Sequence, residues 1–274
     1  MAPEDSRAGV HAPPTVRHFG AVNWLGAWTL YKKEVRRFLK VFAQTILAPV
    51  VSTLLFLAIF ALALGDAGRT VGGVPYVVFL APGLVMAAVM QQAFANNAST
   101  ILIGKVQGNI VDTLMPPLSP AELTAAIALG GTTRGLMVAV ATAGAIALFV
   151  PFGLADPVAV LYFAFTGALL MSLLGAAAGI WAEKFDHVAA VTNFVVLPLA
   201  FLSGTFYSVE ALPAAWRAVA DLNPFFYMID GFRSGVIGHA EGALDVGYGV
   251  MAASCAALCA LVHTMFKRGY KLRA

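Results

Sequence analysis

Six stretches of this chain, residues 41–64, 74–94, 135–152, 157–181, 188–206 and 246–266, contain no Asp, Glu, Lys or Arg. A helix needs about 20 apolar residues to cross the roughly 30 Å hydrocarbon core of a bilayer, and each stretch is close to that length. The windows are apolar on all sides, without the alternating polarity of barrel strands, so a membrane β-barrel is excluded. Composition agrees: 60% of the 274 residues are hydrophobic and 11% charged, against roughly 45–50% and 25% in soluble domains. A water-soluble enzyme of this make-up would expose large apolar patches. The expected fold is an all-α integral membrane protein with six transmembrane helices.

Orientation follows from Lys and Arg, which accumulate in cytoplasmic segments. With the N-terminus inside, 14 of the 17 basic residues fall on the cytoplasmic side, leaving only Arg69, Arg217 and Arg233 outside. The acidic residues divide evenly, seven to each side. Both termini are therefore expected in the cytoplasm. The first 20 residues lack the apolar core of a cleavable signal, so residues 1–22 are expected to be a disordered cytoplasmic tail and the first span an uncleaved anchor. The transmembrane domain then covers residues 23–272. Net charge is only +3, which points to a membrane surface and not to nucleic acid. Cys255 and Cys259 share one apolar stretch and read as packing residues.

Between tail and first span, Trp24, Trp28, Tyr31, Val35, Phe38 and Phe42 recur at spacings of three and four. They predict an amphipathic helix in the interface, with Lys33, Arg36, Arg37 and Lys40 on the opposite, water-facing side. Two uses fit it: a positive anchor for the first span, or a helix that also touches a cytoplasmic partner.

The longest cytoplasmic connection, residues 95–134, carries unusual punctuation. Asp112 and Met115 lead into Pro116 and Pro117, which stop one helix. Ser119 followed by Glu122 forms a capping box that starts the next, with Pro120 at its first position. The result is a rigid elbow, either a capped connection or a short helix on which another protein could push. A second, shorter connection at residues 182–187 contributes Glu183 and Asp186. On the outer side, Phe206 is followed by an aromatic segment, residues 207–245, that holds Tyr207, Trp216, Phe225, Tyr227 and Arg233. It predicts two short helices, one near Glu210 with Pro213 in its first turn and one capped by Asn223 with Pro224 following. They would make a partly re-entrant hairpin before the last span. That segment could be an interfacial aromatic belt or an exit surface for an amphipathic or glycosylated substrate. Gly131 with Gly135, and Gly175 with Gly179, are spaced for close helix approach.

Several chemistries are missing. The single Gly-Lys pair, Gly104-Lys105, is followed by Val106 and lacks an upstream glycine, so there is no phosphate-binding loop. No zinc spacing and no nucleophile elbow occur. An ion-coupled carrier would keep a charge inside a span, and these windows hold none. A membrane-embedded enzyme of lipid or glycan metabolism would need a polar cluster, for which only Glu183, Asp186 and His187 offer themselves.

The motifs ANNA at residues 95–98, IVDTLMPPLSPAE at 110–122 and GGTTRGL at 130–136 resemble the first cytoplasmic loop of ABC-2 type transporter permeases. FLSGTFYSVEALP at residues 201–213, LNPF at 222–225 and DGFR at 230–233 are similar to that family's C-terminal signature. The resemblance covers about residues 20–272. It implies a bacterial inner-membrane export subunit without its own cofactor, working with a separate ATPase subunit that binds ATP and magnesium. It also implies a second permease copy, identical or paralogous. By the same resemblance the region from Asp112 to Glu122 is the coupling helix seated on the ATPase, with residues 182–187 a smaller contact. The implied cargo is a glycan, a lipid-linked molecule or a hydrophobic drug.

Overall fold

The computed structural model describes residue 20 and residues 22–64, 70–71 and 73–272. The tail expected over residues 1–22 falls almost wholly outside the described residues, as does Arg69. Among those described, six helices are long and apolar enough to cross a membrane: Ala43–Ala63, Tyr76–Val106, Pro120–Ile146, Pro157–Trp181, Phe185–Leu202 and Leu244–Arg268.

Helix α1, Trp24–Leu39, precedes the first span and is capped by Asn23, whose Oδ1 accepts the Gly26 amide at 2.9 Å. The first span opens with a π-helical turn, Ala43–Leu47, before α2, Ala48–Leu64. Pro49 explains the widening. It lacks an amide hydrogen and its ring crowds the carbonyl four residues back, so an α-turn cannot close there. The fifth span repeats the device, with α7 (Phe185–Val191), a π-turn at Thr192–Val196 and α8 (Leu197–Leu202) containing Pro198. A two-residue antiparallel pair, β1 (Thr70–Val71) with β2 (Val74–Pro75), joins the first two spans.

The second and third spans are longer than their apolar windows. Helix α3 runs Tyr76–Val106 and α5 runs Pro120–Ile146. Both continue past the uncharged windows at the end of the bundle that carries the elbow, α3 by about 18 Å and α5 by about 22 Å. This revises the reading of residues 95–134 as a loop: only residues 107–119 connect the two helices, and within them lies α4, Val111–Leu114. Polar side chains that ended the apolar windows did not end the helices, because neighbouring helices bury and bond them. At its other end α5 stops at Ile146, six residues before the apolar window does. A turn leads through residues 150–156 to α6, Pro157–Trp181, where Asp156 Oδ1 accepts the Val158 and Ala159 amides.

The core lies between α3, α6 and α10 (Pro224–Ile237), closed by α5 and α11 (Leu244–Arg268). Gly175 decides how near α3 and α6 come: a Cβ there would stand 2.2 Å from the Phe94 carbonyl oxygen. In the hairpin, Pro213 caps α9 (Ala214–Asp221) and does not sit inside its first turn; a 3-10 turn, Val209–Ala211, comes before it. Asn223 and Pro224 start α10 as expected, with Asn223 Oδ1 accepting the Phe225 amide at 3.0 Å. In an apolar 18-residue window of the second span, 72% of residues are buried within the chain, against 6% for the fifth span. The first and fifth spans thus leave an apolar face without a protein neighbour among the described residues.

Candidate functional site

The elbow is built by local capping and then clipped to α1. Gly108, at φ +74°, reverses the chain after α3, and the Ile110 amide donates back to the Gly104 carbonyl at 2.9 Å. After α4, Pro116 and Pro117 prevent helix continuation. The capping box closes as expected: the Ser119 amide donates to Glu122 Oε2 at 2.7 Å and the Glu122 amide to Ser119 Oγ at 3.3 Å. A further partner was not visible in the sequence. The Asn23 amide donates to Glu122 Oε1 at 2.6 Å, and Asn23 Nδ2 donates to the Pro117 carbonyl at 3.1 Å. Lys33 Nζ reaches Thr113 Oγ1 at 3.1 Å. Elbow and α1 therefore form one stiff unit around a cleft of about 360 Å³. Asp112, Pro116 and Pro117 are exposed on it, and Met115 is 77% exposed. An apolar side chain held out this far is suited to burial by a partner.

The second connection is shorter than expected, because α7 already begins at Phe185 and only residues 182–184 are non-helical. Glu183 is engaged by Lys271 Nζ at 2.7 Å. Its carboxyl is held below the usual carboxylate range, chiefly by that hydrogen bond, which also raises the Lys271 ammonium. Asp186 is exposed. Lys105, at the end of α3, caps α6 by donating to the Ile180 carbonyl at 2.7 Å. Among the described residues no group of His, Cys, Asp and Glu could hold a metal ion.

Arg37 departs from its expected place on a water-facing basic side. Only Lys33, Arg36 and Lys40 stay exposed. The buried line of α1 is Leu30, Glu34 and Phe38. Arg37 turns inward beside it, 3.1 Å from Glu34 Oε2 and donating to Asn96 Oδ1 at 3.0 Å. Asn96 Nδ2 donates to Asn97 Oδ1 at 2.9 Å, and Asn97 Nδ2 reaches Ser172 Oγ at 2.7 Å and the Ile127 carbonyl at 3.0 Å. This chain of bonds runs from α1 through α3 to α5 and α6. The sequence signal existed, a lone Glu34 among the basic residues of α1 and the paired Asn96-Asn97. Its meaning depended on which faces meet.

Two hollows, about 310 and 490 Å³, open along the outer face of α3 toward the first and fifth spans. Gln91, Gln92, Val196 and Leu197 line both, so they form one groove. The two π-turns border it at Gln44 and Thr192.

At the hairpin end, Phe225 and Tyr227 are buried in the core, and Phe206 and Tyr207 are half-buried. Only Trp216, 57% exposed, presents the open aromatic face expected of an exit surface. The reason is packing: α10 is wedged against α6, where a Cβ on Gly231 would strike the Phe163 ring at 2.4 Å. Arg233 is fully buried, its Nη2 donating to the Gly204 carbonyl at 2.6 Å and its guanidinium 3.9 Å above the Phe79 ring. It pins α10 to the end of the fifth span. Asp230 accepts the Glu241 and Gly242 amides at 3.0 and 2.9 Å, and Glu241 accepts the Val209 amide at 2.8 Å.

The family profile described as ABC-2 type transporter matches residues 26–237. The chain is 34% identical over 251 residues to the inner membrane transport permease YadH of Escherichia coli (strain K12), covering 92% of this chain and 98% of that protein. It is 26% identical over 230 residues to nodulation protein J of Rhizobium leguminosarum bv. trifolii, covering 80% and 83%. With the daunorubicin resistance ABC transporter permease protein DrrB1 of Streptomyces coeruleorubidus, identity is 29% over 207 residues, covering 74% and 70%. Family profile, full-length relatives and a six-span helical fold agree, and the chain belongs to the ABC-2 type transporter family as a multi-pass inner-membrane permease.

Proposed function

We propose that this permease forms the transmembrane pathway of an exporter driven by a separate ATPase subunit, with both termini and the elbow in the cytoplasm and the α9–α10 hairpin outside. The observation that carries this reading is the elbow itself. It stands about 20 Å beyond the apolar windows, is stiffened by the Ser119–Glu122 capping box and the Asn23 clip, and ends in exposed Met115 and Asp112. A part so placed transmits force only if something outside the membrane moves it. The chain has no phosphate-binding loop of its own, so ATP and magnesium belong to the partner. The smaller second contact is the exposed Asp186 beside the tethered Glu183.

Two permease copies close the pathway by setting the lipid-exposed first and fifth spans against each other, identical copies being the simplest arrangement. The groove between those spans is mainly apolar with a few glutamine and hydroxyl side chains, which suits an amphipathic cargo: a lipid-linked molecule, a glycan on a lipid carrier or a drug. One relative is named for daunorubicin resistance, which favours this class. The test is co-expression with a candidate ATPase that carries a phosphate-binding loop. Co-purification and ATP hydrolysis that requires both subunits support the proposal; hydrolysis by the isolated permease, or a complex that forms without the elbow, overturns it.

A further inference from the structure

Two arginines stand side by side where the apolar part of the bundle ends. Arg134 directly precedes the uncharged window of residues 135–152, and Arg37 lies near the end of α1. They bond to successive turns of one face of α3: Arg134 Nη2 donates to Gln92 Oε1, and Arg37 Nη2 to Asn96 Oδ1 at 3.0 Å. Arg134 was counted in the sequence as part of a loop, yet it sits inside α5 and is only partly accessible.

Their charge is not balanced. Glu34 is the one carboxylate that pairs with either guanidinium among the described residues, and it pairs with Arg37. The Nε atoms of both arginines are buried without a hydrogen-bond partner. Two cations, one anion and two unmet donors at the edge of the hydrocarbon region are costly unless an anion completes them. The level is that of lipid headgroups, since Arg134 stands at the last position before the uncharged window of α5, where the apolar stretch gives way to polar residues. Gln92, the partner of Arg134, also lines both hollows of the mainly apolar groove.

We infer that Arg37 and Arg134 form a binding site for the phosphate of an acyl lipid, whose chain lies in the groove beside Gln92. The planar guanidinium fork matches phosphate oxygens, and two forks on neighbouring helices would hold one phosphate between them. The chemistry is that of a phosphoester headgroup on an acyl tail, shared by bulk phospholipid and by a phosphate-linked lipid cargo. The inference stands whether or not the proposed export activity is correct, because it concerns binding by the permease alone.

The experiment measures binding to the purified full chain in detergent by isothermal titration, with three probes: dioctanoyl phosphatidylglycerol, dioctanoylglycerol and inorganic phosphate. The phosphorylated lipid should bind at least about tenfold more tightly than the phosphate-free one. Arg134→Gln should remove most of that difference, Arg134→Lys should keep an intermediate affinity because the charge remains, and Lys32→Gln, on the exposed side of α1, should change nothing. Should Arg134→Gln fail to fold, Arg134→Lys and Arg37→Lys carry the test, since both lose the fork and must weaken binding severalfold. Equal affinity for the two lipids, or unchanged affinity in every arginine variant, overturns the site. Inorganic phosphate binding as tightly as the lipid overturns the acyl part and makes a free anion the ligand. Bulk lipid and cargo are separated by reconstitution: bulk phosphatidylglycerol that co-purifies with wild type and is lost from Arg134→Gln marks a resident lipid. Its displacement by transported substrate marks a shared cargo site.

Discussion

The backbone amide of Asn23 and the carboxylate of Glu122, 99 residues apart in sequence, meet at 2.6 Å. Asn23 starts α1 and Glu122 belongs to the first turn of α5, so this contact, with the Asn23–Pro117 and Lys33–Thr113 bonds, fastens α1 to the elbow. Glu122 has one oxygen on Asn23 and the other on the Ser119 amide. Movement imposed on the elbow must pass to α1 and α5 together.

Loosening that clip should uncouple the transport cycle. Asn23→Ala removes the cap of α1 and the bond to the Pro117 carbonyl, a loss of about 1 kcal/mol locally, while the backbone bond to Glu122 remains. Insertion and assembly with the ATPase should persist, and transport per ATP hydrolysed should fall severalfold. The double change Pro117→Gly with Ser119→Ala should act in the same direction. Normal coupling ratios in both variants would mean that the elbow is a connection only.

Exposed elbow side chains should matter for assembly in place of coupling. Asp112→Lys and Met115→Lys alter groups without intramolecular packing roles, so the isolated chain should melt within about 1 °C of wild type. Co-purified ATPase should drop at least threefold. Undiminished co-purification would place the docking surface elsewhere.

Arg233 should prove structural. Replacing it with Met keeps bulk but leaves the Gly204 carbonyl without its donor and removes the cation from the Phe79 ring. The cost is about 1–3 kcal/mol for the stranded acceptor. The detergent melting temperature should fall by several degrees, with the loss seen as increased proteolysis of the hairpin. A variant as stable as wild type would show that α10 is held by its apolar contacts alone.

Helix approach at Gly175 leaves no room for a methyl group, because a Cβ would meet backbone at 2.2 Å. Gly175→Ala should lower yield and stability by more than the roughly 1–3 kcal/mol of ordinary overpacking. Gly249→Ala, where no atom lies within 4 Å of the added carbon, should be neutral or slightly stabilising. Thermal unfolding of both variants in one detergent separates the two outcomes.

The Glu183–Lys271 tether has a defined pH window. Glu183 is lowered by its bond to Lys271, so its contribution is complete above the unfolded value of about 4.3 and disappears as pH falls through the lower folded value. Lys271 is raised by the same bond, so its contribution is complete below about 10.4 and fades as pH rises through the raised value. A spin label at Tyr270→Cys should therefore keep constant mobility from pH 6 to 9 and loosen modestly toward pH 3. Adding Lys271→Gln should make the label mobile throughout.

What sequence alone determined is what depends on the neighbours along the chain. Uncharged windows near 20 residues required helices, since a bilayer offers no partner for open backbone groups. The Ser119–Glu122 box and the Asn223-Pro224 start were legible because caps are made within three residues. Other features were decided by which faces meet. Window ends at residues 94 and 135 looked like helix ends, yet α3 and α5 continue because Asn97 bonds Ser172 and Glu34 packs over Gly130. Arg37 read as a surface cation until Asn96 and Glu34 were brought beside it, and Phe225 and Tyr227 read as an interfacial belt until the main core took them in. Polarity along a chain records what a side chain can bond to; only the tertiary structure supplies the partner that lets a charge or amide leave water.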